Sequence, residues 1–253
     1  MYAHERQQRI VELARAEGRA DVTGLAARFD VTTETIRRDL TVLERQGVLR
    51  RVHGGAIPVE RLGFEPGFAD RDTVMTAEKE RIAKAALAEV PAEGSILLDA
   101  GTTTARLAEV LPVDRELTVV TNAVPLVAAL AVRPKIAVLL LGGRVRGRTM
   151  AAVGDWALRV LADTYVDVAF IGTNGLSVHR GLTTSDTAEA AVKRAMIHAA
   201  RRVVVLTDHT KIGNDCLSRF GELSEVDSVI TDTGLAAEVA EQLSAAGPTV
   251  VCA

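Results

Sequence analysis

The feature that most constrains the fold is a regular alternation of short apolar runs with amphipathic segments, which begins near residue 76. The amphipathic segments between the runs are 77–90, 103–111, 151–162 and 187–200. Strands that alternate with helices indicate a parallel α/β sheet, and nearly uninterrupted Val, Ile, Leu and Ala indicate strands covered on both faces. The apolar runs predicted as strands are 95–99, 117–121, 136–141, 167–172, 203–207, 228–231 and 249–252.

The composition supports an aliphatic core and limits the classes of function. Hydrophobic residues make up 48% of the 253 residues but aromatic residues only 3%, so base stacking on aromatic rings is not indicated. Cys216 and Cys252 lack the spacing of metal ligands, and we expect neither a metal nor a cofactor. The chain start lacks the apolar core of a signal peptide, and no apolar run reaches the ~20 residues of a membrane helix. We therefore expect a cytoplasmic protein without a membrane partner.

The front of the chain has the pattern of a winged helix-turn-helix. Three helical stretches precede 48–57, where apolar and basic residues flank a glycine pair as in a β-hairpin. Residues 1–61 carry a net charge of +2 and residues 62–253 one of −5, so the basic charge lies at the front. The sequence predicts a DNA-binding domain over 1–58, a linker over 59–75 and an α/β domain over 76–253.

The third helical stretch is the candidate recognition helix. Ile36, Leu40 and Leu43 recur at helical spacing and would face a core, which leaves hydroxyl and guanidinium groups on the open face. Arginine can donate two hydrogen bonds to guanine, and threonine can contact phosphate or the thymine methyl group. Taken alone, this helix could equally be a solvated surface helix without a role in DNA binding. The same alternative, a plain surface residue, applies to His53 of the hairpin. The residues expected at DNA are Thr32, which is also the expected N-cap, Thr33, Thr35, Arg37, Arg38, Thr41, Arg50, Arg51 and His53.

Small, polar and charged residues follow the predicted strands, where ligands of open α/β sheets bind. The stretch 99–104 is the sharpest part of this pattern. Its three threonines at a helix start offer hydroxyl and backbone N–H groups to an anion, and Gly101 would allow a tight turn and the approach of a ligand. No Gly-Lys-Ser/Thr follows, so nucleotide hydrolysis is not indicated. A single phosphate on a sugar fits this stretch better.

Turn and cap chemistry is the alternative for any one of these positions. For Glu189 and Lys193, four residues apart on one helix, the alternative is a surface ion pair that contributes roughly 0.2–0.5 kcal/mol. The set as a whole predicts a site for a polar, phosphorylated ligand. Its expected members are Asp99, Gly101, Thr102, Thr103, Thr104, Asn122, Gly143, Arg144, Arg146, Thr173, Asn174, Thr184, Asp186, Glu189, Lys193 and Lys211.

Motifs in both domains resemble the DeoR family of bacterial transcription regulators. The first domain has Thr-Ile-Arg-Arg-Asp-Leu at 35–40 and Arg-Val-His-Gly-Gly-Ala at 51–56. The second has Asp-Ala-Gly-Thr-Thr-Thr at 99–104 and Asp-His-Thr-Lys at 208–211. The resemblance, of the DeoR/GlpR type, covers nearly the whole chain. It implies a winged helix-turn-helix followed by a sensor domain similar in fold to ribose-5-phosphate isomerase, and a phosphorylated sugar as effector.

Members of that family usually repress operons for sugar catabolism. The chain is also similar to actinobacterial regulators found with fructose uptake genes, which implies fructose 1-phosphate as the effector. Double-stranded operator DNA would then be the partner of the first domain. Because two half-sites require two DNA-binding heads, we expect a homodimer or a homotetramer.

An enzyme is the alternative: a sugar-phosphate isomerase fused to a DNA-binding head. Glu189, Asp186 and Lys211 have the chemistry of a base, an acid and an electrostatic stabiliser. Isomerases of this fold usually carry adjacent carboxylates after the fourth strand, whereas residues 173–175 are Thr, Asn and Gly. These side chains cannot transfer protons near neutral pH, so we expect no catalytic residues and a regulator rather than an enzyme.

Overall fold

The computed structural model describes residues 2–58 and 65–253, and the chain divides into two compact units, Met1–Pro66 and Gly67–Ala253. The first unit, here called the head, contains three helices and an antiparallel sheet in the order β1-β3-β2. Its elements are α1 (Ala3–Glu17), β1 (Ala20–Asp21), α2 (Val22–Phe29), α3 (Thr33–Arg45), β2 (Leu49–Val52) and β3 (Gly55–Pro58).

Local sequence signals set the ends of these helices. The Thr32 hydroxyl accepts a hydrogen bond from the backbone N–H of Thr35 at 3.2 Å, and the Asp21 carboxylate accepts one from Gly24 at 2.6 Å. Both residues are therefore N-caps, and for Thr32 this is the role expected from the sequence. Gly18 ends α1 in the left-handed conformation, with a φ of 73°. The head has its own core, formed by side chains that include Ile10, Ala14, Leu25, Ile36, Leu40, Leu43 and Leu49.

The glycine pair of the β2–β3 hairpin serves two separate purposes. Gly54 makes the turn with a φ of 77°. Gly55 lies against β1, where an added Cβ atom would be 2.0 Å from the carbonyl oxygen of Ala20. A side chain at Gly55 would therefore push β1 away from β3. Strand β1 was not predicted, because two residues are too short to show a period.

The second unit, here called the body, contains the large sheet and its covering helices. Its elements are α4 (Phe68–Asp72), α5 (Thr76–Ala86), β4 (Glu93–Leu98), α6 (Thr102–Val110), β5 (Glu116–Thr121), α7 (Val124–Leu130), β6 (Ile136–Leu140), β7 (Arg144–Arg146), β8 (Ala151–Val153), α8 (Asp155–Ala162), β9 (Val166–Gly172), β10 (Gly175–Ser177), β11 (Gly181–Thr184), α9 (Thr187–His198), β12 (Ala200–Leu206), β13 (Ser218–Gly221), β14 (Ser228–Thr231), α10 (Ala237–Ala245) and β15 (Thr249–Cys252).

The large sheet has seven parallel strands in the order β15-β14-β12-β9-β4-β5-β6. All seven are the strands predicted from the sequence, with ends shifted by up to three residues. From β4 the chain builds outward through β5 and β6, and from β9 it builds outward in the other direction. Right-handed crossovers then place helices on opposite faces, so the sheet is doubly wound. The order of strands reverses between β4 and β9, which is the switch point of the sheet.

The structure corrects one prediction about the body and adds a helix within the predicted linker. Residues 151–153, expected to begin a helix, form β8 instead, and α8 begins only at Asp155 after Gly154. Part of the predicted linker is helical, because α4 covers Phe68–Asp72 and lies in the second compact unit. Linker residues 59–64 lie outside the described residues. The three-residue strands β7, β8 and β10 and the short helix α4 gave too little sequence for a detectable period.

Two further observations concern the surface. Of the helices in the described ranges, none has both the length and the hydropathy to cross a membrane. Cys216 is partly buried and Cys252 is exposed, and within the described residues neither forms a disulfide.

Candidate functional site

Helix α3 presents its polar residues as the sequence predicts. Ile36 and Leu40 are buried in the head, while Arg37 and Arg38 are exposed. Arg37 lies 3.5 Å from Glu34, an exposed pair that does not hold the guanidinium in place. Thr33 and Thr35 are half-buried beside the cap. The helix therefore has one buried face and one open face with two exposed positive charges.

The β2–β3 hairpin, here called the wing, is joined to α3 by hydrogen bonds that include two predicted DNA contacts. The backbone N–H of Arg51 donates to Glu44 at 3.0 Å, and the Arg51 guanidinium lies 3.4 Å from the Thr41 hydroxyl. The Thr41 hydroxyl donates to the carbonyl oxygen of Arg37 at 2.8 Å. Thr41 and Arg51 thus join wing and helix, while the side chains of Arg50 and His53 are exposed.

Two contributors to the head were missed in the sequence. Asp39, which follows the two arginines, is buried, and its carboxylate accepts from Arg6 at 2.6 Å and from Gln7 at 2.8 Å. It anchors α3 to α1 rather than serving the open face. Arg19 donates to the carbonyl oxygen of His53 at 3.1 Å and so supports the wing tip. A polar residue in phase with Ile36 and Leu40 was the available signal for Asp39.

In the body, the switch point is closed by a buried ion pair. Lys193 of α9 donates to the Asp99 carboxylate and, at 2.9 Å, to the carbonyl oxygen of Gly172 at the end of β9. The same carboxylate accepts from the Gly172 backbone N–H at 2.9 Å. The Lys193 ammonium also lies 5.5 Å from the centroid of the Phe220 ring. Asp99, which follows β4, and Lys193 of α9 were predicted as separate ligand contacts. They form an ion pair with each other instead.

Hydrogen bonds fix the loop between β4 and the start of α6. The Ala100 N–H donates to Asn122 at 3.0 Å, which ties the loop to the end of β5. The Thr104 hydroxyl donates to the carbonyl oxygens of Asp99 and Gly101. Among the described residues, no side chain caps the N-terminus of α6. Thr102, Thr103 and Thr104 at this helix start are buried, and an anion beside the switch point would meet their backbone N–H groups.

The role predicted for Gly101 is wrong in one respect. Its φ of −177° is extended backbone that any residue adopts, so the turn does not need a glycine. An added Cβ atom would lie 3.2 Å from the Thr104 hydroxyl oxygen, which is a tight contact. Gly101 therefore leaves room at the helix start rather than making a tight turn.

The residues after β9 face strand β11. The Thr173 hydroxyl donates to the carbonyl oxygens of Gly175 and Thr183 at 2.7 and 3.1 Å. The Thr184 hydroxyl donates to the Asn174 side chain at 2.8 Å. These hydroxyls are fixed by protein acceptors, and Asn174 joins the loop after β9 to the end of β11.

The hairpin β7–β8 is joined to the N-terminus of α9 by Arg146. Its guanidinium lies 2.6 Å from Glu189 and 3.3 Å from Asp186, and the buried Thr149 hydroxyl donates to Glu189. Asp186 is also the N-cap of α9, because it accepts from the backbone N–H groups of Ala188 and Glu189. Three of the predicted site residues, Arg146, Asp186 and Glu189, are therefore in contact, and Thr149 is a further member that the sequence did not reveal.

Gly143 and Arg144 stand apart from this group. Gly143 has a φ of 142°, and an added Cβ atom would lie 2.5 Å from the carbonyl oxygen of Val153. The hairpin thus requires a glycine there for its own backbone. Arg144 is exposed at the start of β7.

The end of β12 adds a charged turn to the same edge of the sheet, because Leu206 pairs in register with Gly172. Burial opposes ionisation of Asp208, but Lys211, the Thr210 hydroxyl and Lys79 together hold the pKa of Asp208 below its ordinary value. Burial lowers the pKa of Lys79 to about 8, against the opposing influence of Asp208. Lys211 and Lys79 are thus two lysines that stabilise the buried Asp208 carboxylate. The sequence did not reveal the part of Lys79.

His209 lies on the same turn. Its Nδ1 is 2.7 Å from the buried Asp232 carboxylate, whose other oxygen accepts from the His209 backbone N–H at 2.8 Å. In the described part of the chain, no group of three or more His, Cys, Asp or Glu could hold a metal ion.

Comparison with known proteins follows the division between the two units. A model of the DeoR-like helix-turn-helix domain matches residues 6–61, and one of the DeoR C-terminal sensor domain matches residues 74–233. The chain is a member of the DeoR family of transcriptional regulators. The resemblance of the motifs in both domains is thereby confirmed.

Relatives of this DeoR-family member align over almost its whole length. The HTH-type transcriptional regulator GlpR of Haloferax volcanii is 39% identical over 252 residues, which cover 99% of this chain and 98% of the relative. The glycerol-3-phosphate regulon repressor of Escherichia coli K12 is 32% identical and covers 90% of each chain. Ribose 5-phosphate isomerase A from Methanocaldococcus jannaschii shares 17% identity over 55% of each chain with a TM-score of 0.41, a likeness too distant to bear on activity.

Proposed function

We propose that this DeoR-family member is a cytoplasmic repressor of a sugar-catabolism operon, controlled by a phosphorylated sugar. The head would bind operator DNA, and the body would bind the effector. The proposal that the body binds an effector rests on one observation. Within the described part of the chain, the N-terminus of α6 has no side-chain cap and lies where the strand order of the sheet reverses. Two independent preferences meet there, since ligands of open α/β sheets bind at the switch point and anions bind at helix N-termini. The names of relatives, a glycerol-3-phosphate regulon repressor among them, support the same class of ligand.

We place the phosphate of the effector at the backbone N–H groups of Thr102, Thr103 and Thr104. Because Lys193 is already neutralised by Asp99, its part is to fix the loop before α6. Lys211 and Arg144 are the predicted cations that would supply counter-charge. The sugar hydroxyls would meet the carboxylates of Asp186 and Glu189, which Arg146 holds in position. Fructose 1-phosphate is the effector we propose first, and glycerol 3-phosphate is the competing candidate.

A substitution at Thr103 tests the phosphate position. Thr103→Glu adds a negative charge to the first turn of α6, which should repel a phosphate, whereas Thr103→Gln is its neutral match. Thermal unfolding of the full chain would be followed with fructose 1-phosphate, fructose and glycerol 3-phosphate. A ligand at 100 times its Kd stabilises the native chain by about 2.7 kcal/mol, so the expected rise in Tm is easily measured. We expect that rise in the wild type and in Thr103→Gln but not in Thr103→Glu.

Operator retardation in gels gives the second measurement for the same ligands. An effector that binds the two functional states unequally must change the affinity for DNA, and by linkage DNA must change the affinity for the effector. If no phosphorylated sugar changes either Tm or retardation of the wild type, the sensor proposal is wrong. Release by unphosphorylated fructose would remove the role assigned to α6.

We further propose a homodimer or homotetramer, because paired half-sites need paired heads. Exposed apolar side chains at the free edge of the sheet, Leu139 and Leu140 of β6, support association of the body. Sedimentation of the full chain with and without operator measures the number of copies.

The isomerase alternative makes a different prediction. Its proposed base, Glu189, is paired with Arg146 and accepts from Thr149, and its proposed acid, Asp186, caps a helix. Groups held in this way are suited to binding hydroxyls rather than to moving protons. We expect no aldose–ketose exchange on ribose 5-phosphate, and measurable turnover would favour the isomerase instead.

A further inference from the structure

A short segment at the beginning of the body is bound by side chains of two helices, α5 and α6. We call residues 67–75 the corner: it consists of α4 and the turn that leads into α5. None of the five residues of α4 is buried. A helix of five residues has little stability of its own, so its position depends on the groups that bind it.

The first of these groups is Arg106 of α6. Its Nη2 lies 2.9 Å from the Asp72 carboxylate at the end of α4, and its Nη1 lies 2.9 Å from Glu109 on its own helix. Thr102, the first residue of α6, is four residues earlier. At 1.5 Å per residue, Arg106 is therefore about 6 Å along a rigid helix from the proposed phosphate position.

The second group is Lys79 of α5, which is 4% exposed. Its ammonium donates to the carbonyl oxygens of Arg71 and Val74, the latter at 2.6 Å. These carbonyls belong to the corner, and Asp208 is the carboxylate that most favours the charge of Lys79. Met75, between Val74 and α5, has a φ of 56°, a conformation that costs energy for a side chain other than glycine. The corner is thus a strained turn bound by Arg106 of α6 and by Lys79 of α5.

We propose that the corner is the output of the sensor: effector binding at the N-terminus of α6 changes the hold of Arg106 on Asp72, and the chain carries that change to the head. This inference rests on the proposed function and adds its regulation. The corner begins one residue after the division between the two units, so it is the part of the body closest in sequence to the head. An effector can act on DNA affinity only through a difference between two states, and release of the Asp72–Arg106 pair would supply the second state.

The test uses the full chain with Asp72→Asn, Arg106→Gln and the charge reversal Asp72→Arg with Arg106→Asp. Glu109→Gln is the matched control, because it removes the other partner of Arg106 without touching α4. Two quantities are measured with fructose 1-phosphate and glycerol 3-phosphate as probes: the rise in Tm, which reports effector binding, and the effector-induced change in operator affinity. Melting without a probe confirms that each variant is folded.

We expect every variant to keep the rise in Tm. In Asp72→Asn and Arg106→Gln, the effector-induced change in operator affinity should fall at least fivefold, toward no change. The charge reversal should restore much of it, and Glu109→Gln should behave as the wild type.

The inference is overturned if Asp72→Asn keeps the full change in operator affinity, or if Glu109→Gln loses as much as Asp72→Asn. It is also overturned if the charge reversal behaves no better than the single variants. Should a single variant be unfolded, the reversal and Arg106→Lys, which keeps the charge, decide in the same way. A wild type that responds to neither probe overturns the proposed function together with this inference, whereas a responding wild type with an unaffected Asp72→Asn overturns the inference alone.

Discussion

The open face of α3 and the rim of the body both carry charged residues, but they differ in how those charges are paired. The rim is the edge of the large sheet at the carboxyl ends of its strands, with the residues that follow them. On α3, Arg37 and Arg38 are exposed, and Arg37 has one loose partner 3.5 Å away. On the rim, Asp99 and Lys193 are buried, and each has several hydrogen-bond partners. One surface keeps its charges free for a large ligand, and the other commits them to the protein.

The difference follows from the ligands proposed for the two surfaces. A DNA duplex is long and highly charged, so exposed arginines can bind it without a prepared pocket. A small sugar phosphate offers few contacts, and a site for it gains affinity when its groups are held in place beforehand. Substitutions on α3 should therefore change binding and leave stability unchanged, whereas substitutions on the rim should change stability first.

The largest effect is expected for Asp99→Ala. It leaves the Lys193 ammonium buried without its carboxylate, which typically costs about 3–5 kcal/mol of the free energy of unfolding. Urea unfolding of the full chain measures this loss. Removing both charges in Asp99→Leu with Lys193→Met should cost clearly less, because no unpaired charge remains. A loss under about 1 kcal/mol for Asp99→Ala would mean that the rim is as loosely built as the face of α3.

The sequence alone was sufficient to predict the elements and the positions of the polar residues, but not how the buried polar residues pair. The strands of the large sheet, the buried stripe of α3 and the polar residues at strand ends all follow from periodicity, because that signal repeats over many residues. The pairing of polar residues with each other does not. Asp99 and Lys193 are 94 residues apart, and only the strand order brings them together. Thr149 and Lys79 lie in stretches without a distinctive pattern, so their contacts with Glu189 and with the corner required the structure.

The next effect concerns pH and the buried charge of Lys79. Its pKa is about 8 in the native chain and near 10.5 when unfolded, so between these values the unfolded chain binds more protons. The free energy of unfolding should therefore rise with pH over that window, by about 3 kcal/mol in total from this group. Urea unfolding at pH 7.5 and 10 should show this rise in the wild type relative to Lys79→Met. Lys84→Met removes an exposed lysine of the same helix and should follow the wild type.

A smaller effect on affinity, with none on stability, is expected for the arginines of α3. Arg37→Ala or Arg38→Ala should weaken operator binding by about 1–3 kcal/mol and change the free energy of unfolding by no more than about 0.5 kcal/mol. Arg9→Ala is the matched control, because Arg9 also pairs with a glutamate three residues away on an exposed helix. Retardation titrations at one fixed salt concentration measure the affinity. Equal losses for Arg9→Ala would show that charge alone, and not the face of α3, determines binding.

The smallest effect is expected at Thr32, where the two kinds of surface meet. Its hydroxyl caps α3 by accepting from Thr35, and it is also a predicted DNA contact. Thr32→Ala should cost about 1 kcal/mol of stability through the lost cap, whereas Thr32→Asn keeps a capping oxygen and should cost almost nothing. Operator affinity corrected for folding then separates the two roles. If both variants bind DNA as the wild type does, Thr32 serves only the helix. If both bind more weakly although only Thr32→Ala is destabilised, the hydroxyl itself contacts the duplex, and the face of α3 extends to its first turn.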